Sequence, residues 1–124
     1  MVYDINTQLG IAFVDSLAAP DLVALGEALT AVLEDDRLAT GSRICVDCGQ
    51  LEHAVQSTEL DRVFRELFVS SVRRRPRKLA LIARDEASQM AAHTFVEQLP
   101  KSLSACTYIA PDVSGAMRWL GRGC

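Results

Sequence analysis

From residue 43 onward the chain repeats one pattern: a short apolar run, then a longer stretch whose apolar residues recur every three or four positions. Arg43–Cys48 (RICVDC) and Lys78–Ala83 (KLALIA) are the apolar runs, and their continuity predicts strands covered on both faces. Helical spacing follows from Ser57 or Thr58 to about Arg74, stopped by Pro76, and from Asp85 to Leu99, stopped by Pro100. Thr58 with Asp61 has the capping-box spacing, and Asp85 is a natural N-cap. Ser104–Ala110 reads as a last strand and Pro111–Leu120 as a last helix. Ahead of this, Val2–Asn6 and Gly10–Asp15 suit an antiparallel hairpin, and Leu22, Leu25, Leu29, Val32 and Leu33 mark a first helix opened near Pro20. The order ββαβαβαβα predicts an α/β fold, an N-terminal hairpin followed by a mostly parallel sheet flanked by helices. With no repeat and no long linker, residues 1–124 read as a single domain.

Composition narrows the function classes. Hydrophobic residues make up 49% and charged residues 23%, ordinary values for a chain that packs a core without metal or disulfide. A net charge of −3 supplies no global pull toward nucleic acid, so no nucleic-acid partner is expected. No apolar run nears the roughly 20 residues of a membrane span, and Met1–Gly10 lacks a basic stretch leading into an apolar one. The expectation is a cytoplasmic protein that is not an integral membrane protein.

The familiar catalytic patterns are missing from the sequence: there is no phosphate-cradling loop, no dinucleotide fingerprint and no nucleophile elbow. Cys45 and Cys48 form a C-x-x-C, but on one strand residues three apart face opposite sides, so the pair can neither bridge nor share a metal. Cys45, Cys48 and Cys106 are read as core thiols, and Cys124 as an exposed terminal one. His53 and His93 have no companion at ligand or triad spacing. No catalytic residue, no metal ligand and no cofactor is assigned.

The segment SRICVDCGQLEHAVQSTELDRVFREL resembles the central strand, loop and helix of STAS domains, the fold of anti-sigma factor antagonists. The tail YIAPDVSGAMRWLG is similar to the ending of the SpoIIAA-like group. The resemblance spans nearly the whole chain and implies a non-enzymatic regulatory or protein-interaction module. It also implies a phosphorylation switch at the start of the helix after Asp47, where Ser57 falls, flanked here by Gln56 and Thr58. A phosphate at a helix N-terminus is electrostatically tolerated. The alternative is that Ser57 or Thr58 only caps the helix.

Two further features carry binding expectations. On helix two, Leu60, Val63, Phe64, Leu67, Phe68 and Val72 cover about half the circumference, with Val69 on the opposite side. Helix three spreads Ala87, Met90, Ala91, Phe95, Val96 and Leu99 as widely. A helix on a sheet needs a narrower stripe, so something else should cover the remainder. The candidates are the neighbouring helix, a second subunit in a homodimer, or an apolar small molecule between the helices, with Phe64, Phe68, Val72, Met90, Phe95 and Leu99 as its contacts; the same face could dock a protein partner. SpoIIAA-like proteins resemble lipid-carrier folds, which suggests a lipid-like ligand. Arg73, Arg74 and Arg75 would then meet its anionic head, although cations at a helix C-terminus are favoured in any case.

Overall fold

The computed structural model describes residues 3–15, 22–37, 43–48, 58–73, 76–99, 101–104 and 106–121. In chain order the elements are β1 (Tyr3–Asn6), β2 (Ile11–Asp15), α1 (Leu22–Glu34), β3 (Arg43–Asp47), α2 (Thr58–Arg73), β4 (Lys78–Ile82), α3 (Glu86–Gln98), α4 (Lys101–Ser104), β5 (Thr107–Ala110) and α5 (Val113–Gly121). The five strands form one mixed sheet in the order β1-β2-β3-β4-β5. Only β1 runs antiparallel to its neighbour. The hairpin turns at Gly10, whose φ of 66° lies in the left-handed region that glycine enters without steric cost. Its amide donates to the Asn6 carbonyl at 2.9 Å.

Sequential order explains the layering. Each parallel strand lies beside the one before it, so crossovers of one hand put the intervening helices on the same face. Leu25, Leu29 and Leu33 of α1, Leu67 of α2, Phe95 of α3 and Leu103 of α4 accordingly share one core with Val14, Ile44, Val46, Leu79 and Leu81. The alternate strand residues Ile11, Cys45, Ala80, Ile82 and Ala110 face the other way and pack with Ala116 and Leu120 of α5. β4 is buried at all five positions, as its unbroken apolar run requires.

Two cations tie down the last helix. Arg43 and Lys78, paired in register where β3 and β4 begin, donate to the carbonyls of Leu120 and Trp119 at the C-terminus of α5. Those carbonyls have no partner within the helix, and the helix dipole favours positive charge there. Lys78 also sits 4.9 Å from the centre of the Trp119 ring, which stacks on Tyr108 at 5.3 Å.

The last strand is shorter than its sequence suggests. Lys101–Ser104 forms one helical turn, and β5 starts only at Thr107. Leu103 is the cause: its side chain is buried in the core while its carbonyl accepts from the Cys106 amide and the Thr107 hydroxyl. Cys106 therefore lies in a turn, half-buried, and not in the core where Cys45 and Cys48 are. Among the described residues, no helix is long and apolar enough to cross a membrane.

Candidate functional site

Parallel strands that end together bring their last residues side by side. β2, β3 and β4 close with Asp15, Asp47 and Ile82, and the register sets Asp15 beside Asp47 and Asp47 beside Ile82. β1 contributes Asp4 opposite Phe13. On the face that carries α5, these residues border a cleft of about 340 Å³ lined by Asp4, Phe13, Asp15, Cys45, Asp47 and Val113, among others. Ligands of α/β sheets bind outside the carboxyl ends of the strands, which is where this cleft opens. Its volume falls in the range of small-molecule pockets, about 300–1,000 Å³.

The floor is apolar and the rim is charged. Phe13, Cys45 and Ile82 form the base, and Val113, 48% exposed, stands at the first turn of α5. Asp4 and Asp15 are exposed at the rim. Arg84, just beyond β4, donates to Asp47 Oδ1 at 2.9 Å and fixes that carboxylate in place. Asp112 caps α5 by accepting from the Gly115 amide at 2.6 Å, and Asp85 caps α3 by accepting from the Ser88 amide at 2.7 Å. That second bond holds the Asp85 carboxyl below its ordinary pKa.

The thiols are placed as the C-x-x-C spacing predicts. Cys45 belongs to the α5-side core and Cys48 to the core beneath α1–α4. Burial, reinforced by the negative charge of Asp47, pushes the Cys45 thiol up to about 11 and the Cys48 thiol up to about 12. Thiols so raised stay protonated at neutral pH and are weak nucleophiles. Among the described residues, no three His, Cys, Asp or Glu side chains are grouped to hold a metal ion.

The residues expected to hold an apolar ligand between helices do not form one surface. Phe95 is wholly buried and Leu99 nearly so, both in the core. Phe64 is half-buried against Phe95, with ring centres 5.6 Å apart. Phe68 and Val72 point away from the core, 55% and 67% exposed, and Val69 joins them at 54%. The half-circumference read on α2 thus splits into an inward row of Val63 and Leu67 and an outward one of Phe68 and Val72, to which Val69, read on the opposite side, is adjacent. The shallow groove that borders Phe64 and Phe68 is flanked by Asp61, Arg65 and Gln98 and does not include Phe95. Met90 is exposed on α3, as is His93. Ser57, His53, Arg74, Arg75 and Cys124 lie outside the described residues, as do the side chains of Thr58 and Arg73.

Of the cleft residues, Asp47 has a signal in the sequence, since it is an acid at the carboxyl end of the apolar run RICVD. Asp15 carries the same signal, and aligning the ends of β2 and β3 would have paired the two. Compared with known proteins, the chain matches no family model, no curated protein and no solved structure.

Proposed function

We propose that this chain is a non-enzymatic binding and regulatory module of the SpoIIAA-like kind, and that its ligand site is the cleft at the carboxyl ends of β2, β3 and β4. The observation that carries the reading is the pairing of an apolar floor with carboxylates at the rim in a cleft of about 340 Å³. A small molecule with an apolar body and a cationic or hydrogen-bond-donating group fits that chemistry, its body on Phe13 and Ile82 and its polar end toward Asp4 and Asp15. An anionic lipid head would meet like charge there. The high pKa values of the Cys45 and Cys48 thiols and the ion pair that engages Asp47 support binding over catalysis.

The test is a fragment screen by two-dimensional NMR on the wild type and on Val113→Trp. Val113 is half-exposed at the cleft mouth, so the larger side chain fills the cleft without entering the core. Amphipathic amines should shift resonances of Phe13, Asp15, Asp47 and Val113, and Val113→Trp should abolish those shifts. Ligand-induced shifts confined to other surfaces, or unaffected by Val113→Trp, would refute the assignment.

A further inference from the structure

Helix α5 packs on the sheet through Ala116 and Leu120 and turns a second side toward the edge of the sheet. Gly115, Arg118 and Trp119 stand at i, i+3 and i+4, so they share that second side. β5 is the last strand in the sheet order, and its Tyr108 meets them there. The four residues line a hollow of about 260 Å³. None of them lines the cleft. Val113, which does, stands two positions before Gly115 and so on about the opposite side of α5.

The hollow pairs a fixed aromatic wall with an available cation. The Tyr108 and Trp119 rings lie 5.3 Å apart and 29° from parallel, and Lys78 Nζ stands 4.9 Å from the centre of the Trp119 ring. Rings held in this way present flat apolar surface without rearrangement, and Tyr108 is 39% exposed. Gly115 adds no side chain to the space. Arg118 is exposed, and among the described residues its one hydrogen bond runs from Nε to the Ser114 carbonyl at 3.4 Å, long for an N–H donor. Its terminal nitrogens can therefore grip an anion through two bonds. The carbonyls at the C-terminus of α5, which would repel an anion, already accept from Lys78 and Arg43. At the other end of the helix, Asp112 accepts from the Gly115 amide at 2.6 Å. An anion thus belongs beside Arg118 and an uncharged ring beside Gly115.

We propose that this hollow binds a small molecule built from a planar ring and an anionic group, a carboxylate or a phosphate. The ring lies against Tyr108 and over Gly115, and the anion takes the Arg118 guanidinium. A saturated ring forfeits the stacking, and a neutral one forfeits the charge-assisted bonds. A cationic ring meets the like charges of Arg118 and Lys78. The volume is just under the range of drug-sized pockets, which limits the occupant to one or two fused rings with a short substituent. The proposal is independent of the cleft and of what binds there.

The chain holds a single tryptophan, so its indole N–H gives one NMR resonance that reports on the hollow. Titrating the isotope-labelled full chain with naphthoate should move that resonance to saturation at millimolar concentration or below. Naphthamide, isosteric but neutral, should bind about tenfold more weakly. Decalin carboxylate, charged but not flat, should bind about fivefold more weakly. Arg118→Gln should weaken naphthoate about tenfold and leave naphthamide unchanged, whereas a variant that merely unsettled the helix would affect both. Tyr108→Leu should weaken both about fivefold, and Tyr108→Phe should retain the binding. Adenosine monophosphate separates the two sources of such an anion: tighter binding than naphthoate assigns a nucleotide, weaker binding an aromatic acid. Equal affinity for naphthoate and naphthamide overturns the proposal. So does an indole resonance that stays in place at millimolar concentrations of both acids, or an Arg118→Gln variant that binds naphthoate as the wild type does.

Discussion

Gly26 on α1 lies where that helix meets α2, and a methyl group placed there measures how closely the two approach. A Cβ on Gly26 would fall well inside van der Waals contact of Val63 Cγ1 on α2, a clash that forces two helices apart or drives Val63 from its rotamer. Val63 is fully buried, so it has no solvent to retreat into. Overpacking of this kind costs about 1–3 kcal/mol, and a clash this short belongs at the upper end. Alanine also recovers about 1 kcal/mol of helix propensity over glycine. The net expectation for Gly26→Ala is a loss of about 2 kcal/mol. Val63→Ala alone removes two buried methyl groups and should cost about 2 kcal/mol. Combined, the two changes should cost less than either alone, because the methyl added at residue 26 occupies space vacated at residue 63. That is a favourable coupling of about 2–3 kcal/mol in a double-mutant cycle. Urea unfolding followed by circular dichroism, and by the fluorescence of Trp119, gives all four stabilities. If Gly26→Ala proves more stable than the wild type, or if the two changes simply add, the helices do not meet as described.

The other predictions concern titration and thiol chemistry. Asp35 accepts from Tyr3 Oη at 2.9 Å and from the Arg37 side chain at 2.9 and 3.1 Å, and chiefly through Arg37 its carboxyl is held well below the usual range. A depressed carboxyl binds its proton less readily folded than unfolded. Its contribution to stability is therefore complete above about pH 4 and is lost as the pH falls further. The stability difference between wild type and Asp35→Asn should be constant from about pH 7 to about pH 5 and shrink below pH 4; a constant difference down to about pH 2 would refute the assignment. For the thiols, native protein at pH 8 should label with maleimide at Cys106 ahead of Cys45 and Cys48, whose thiolate fractions there are about one part in a thousand or less. Peptide mapping that finds Cys45 or Cys48 labelled as fast as Cys106 would contradict their burial.

Much of the architecture was legible because a strand buried on both faces leaves an unbroken apolar run. KLALIA and RICVDC could be placed without reference to anything distant, and Gly10 marked the hairpin by its backbone freedom. The opposed facing of Cys45 and Cys48 followed from the pleat alone. The α2 stripes did not, since Phe64 sits between the inward and outward rows and joins them on a helical projection. Only the position of α1 and the sheet decides that Val63 and Leu67 face in and Phe68 and Val72 face out. Helix α4 escaped because a single turn has no period to detect. The cleft was hidden for a different reason, as it is assembled by register among four strands and, the acids at the ends of β2 and β3 apart, its residues look ordinary in their own segments.

The cleft also has an architectural cause. Five strands spaced about 4.8 Å apart make a sheet roughly 19 Å wide, while a helix with its side chains is about 10–12 Å across. Three crossovers place α1, α2 and α3 on one face, enough to span that width, and the core beneath them includes Phe95 and Leu99. Among the described residues one more helix, α5, lies on the other face, and it packs against β4 and β5. Among the described residues, Ile11 at the start of β2 packs into the α5-side core, while the rest of that face on β1 and β2 carries Asp4, Asn6, Asp15 and the half-buried Phe13. Among the described residues, the edge of the α5 cover falls near the carboxyl end of β3, and Cys45, Asp47 and Val113 stand on it. The described helices and the width of the sheet are together enough to account for the cleft. A bulky residue at Val113 should for that reason change what binds there while leaving the packing of both cores intact.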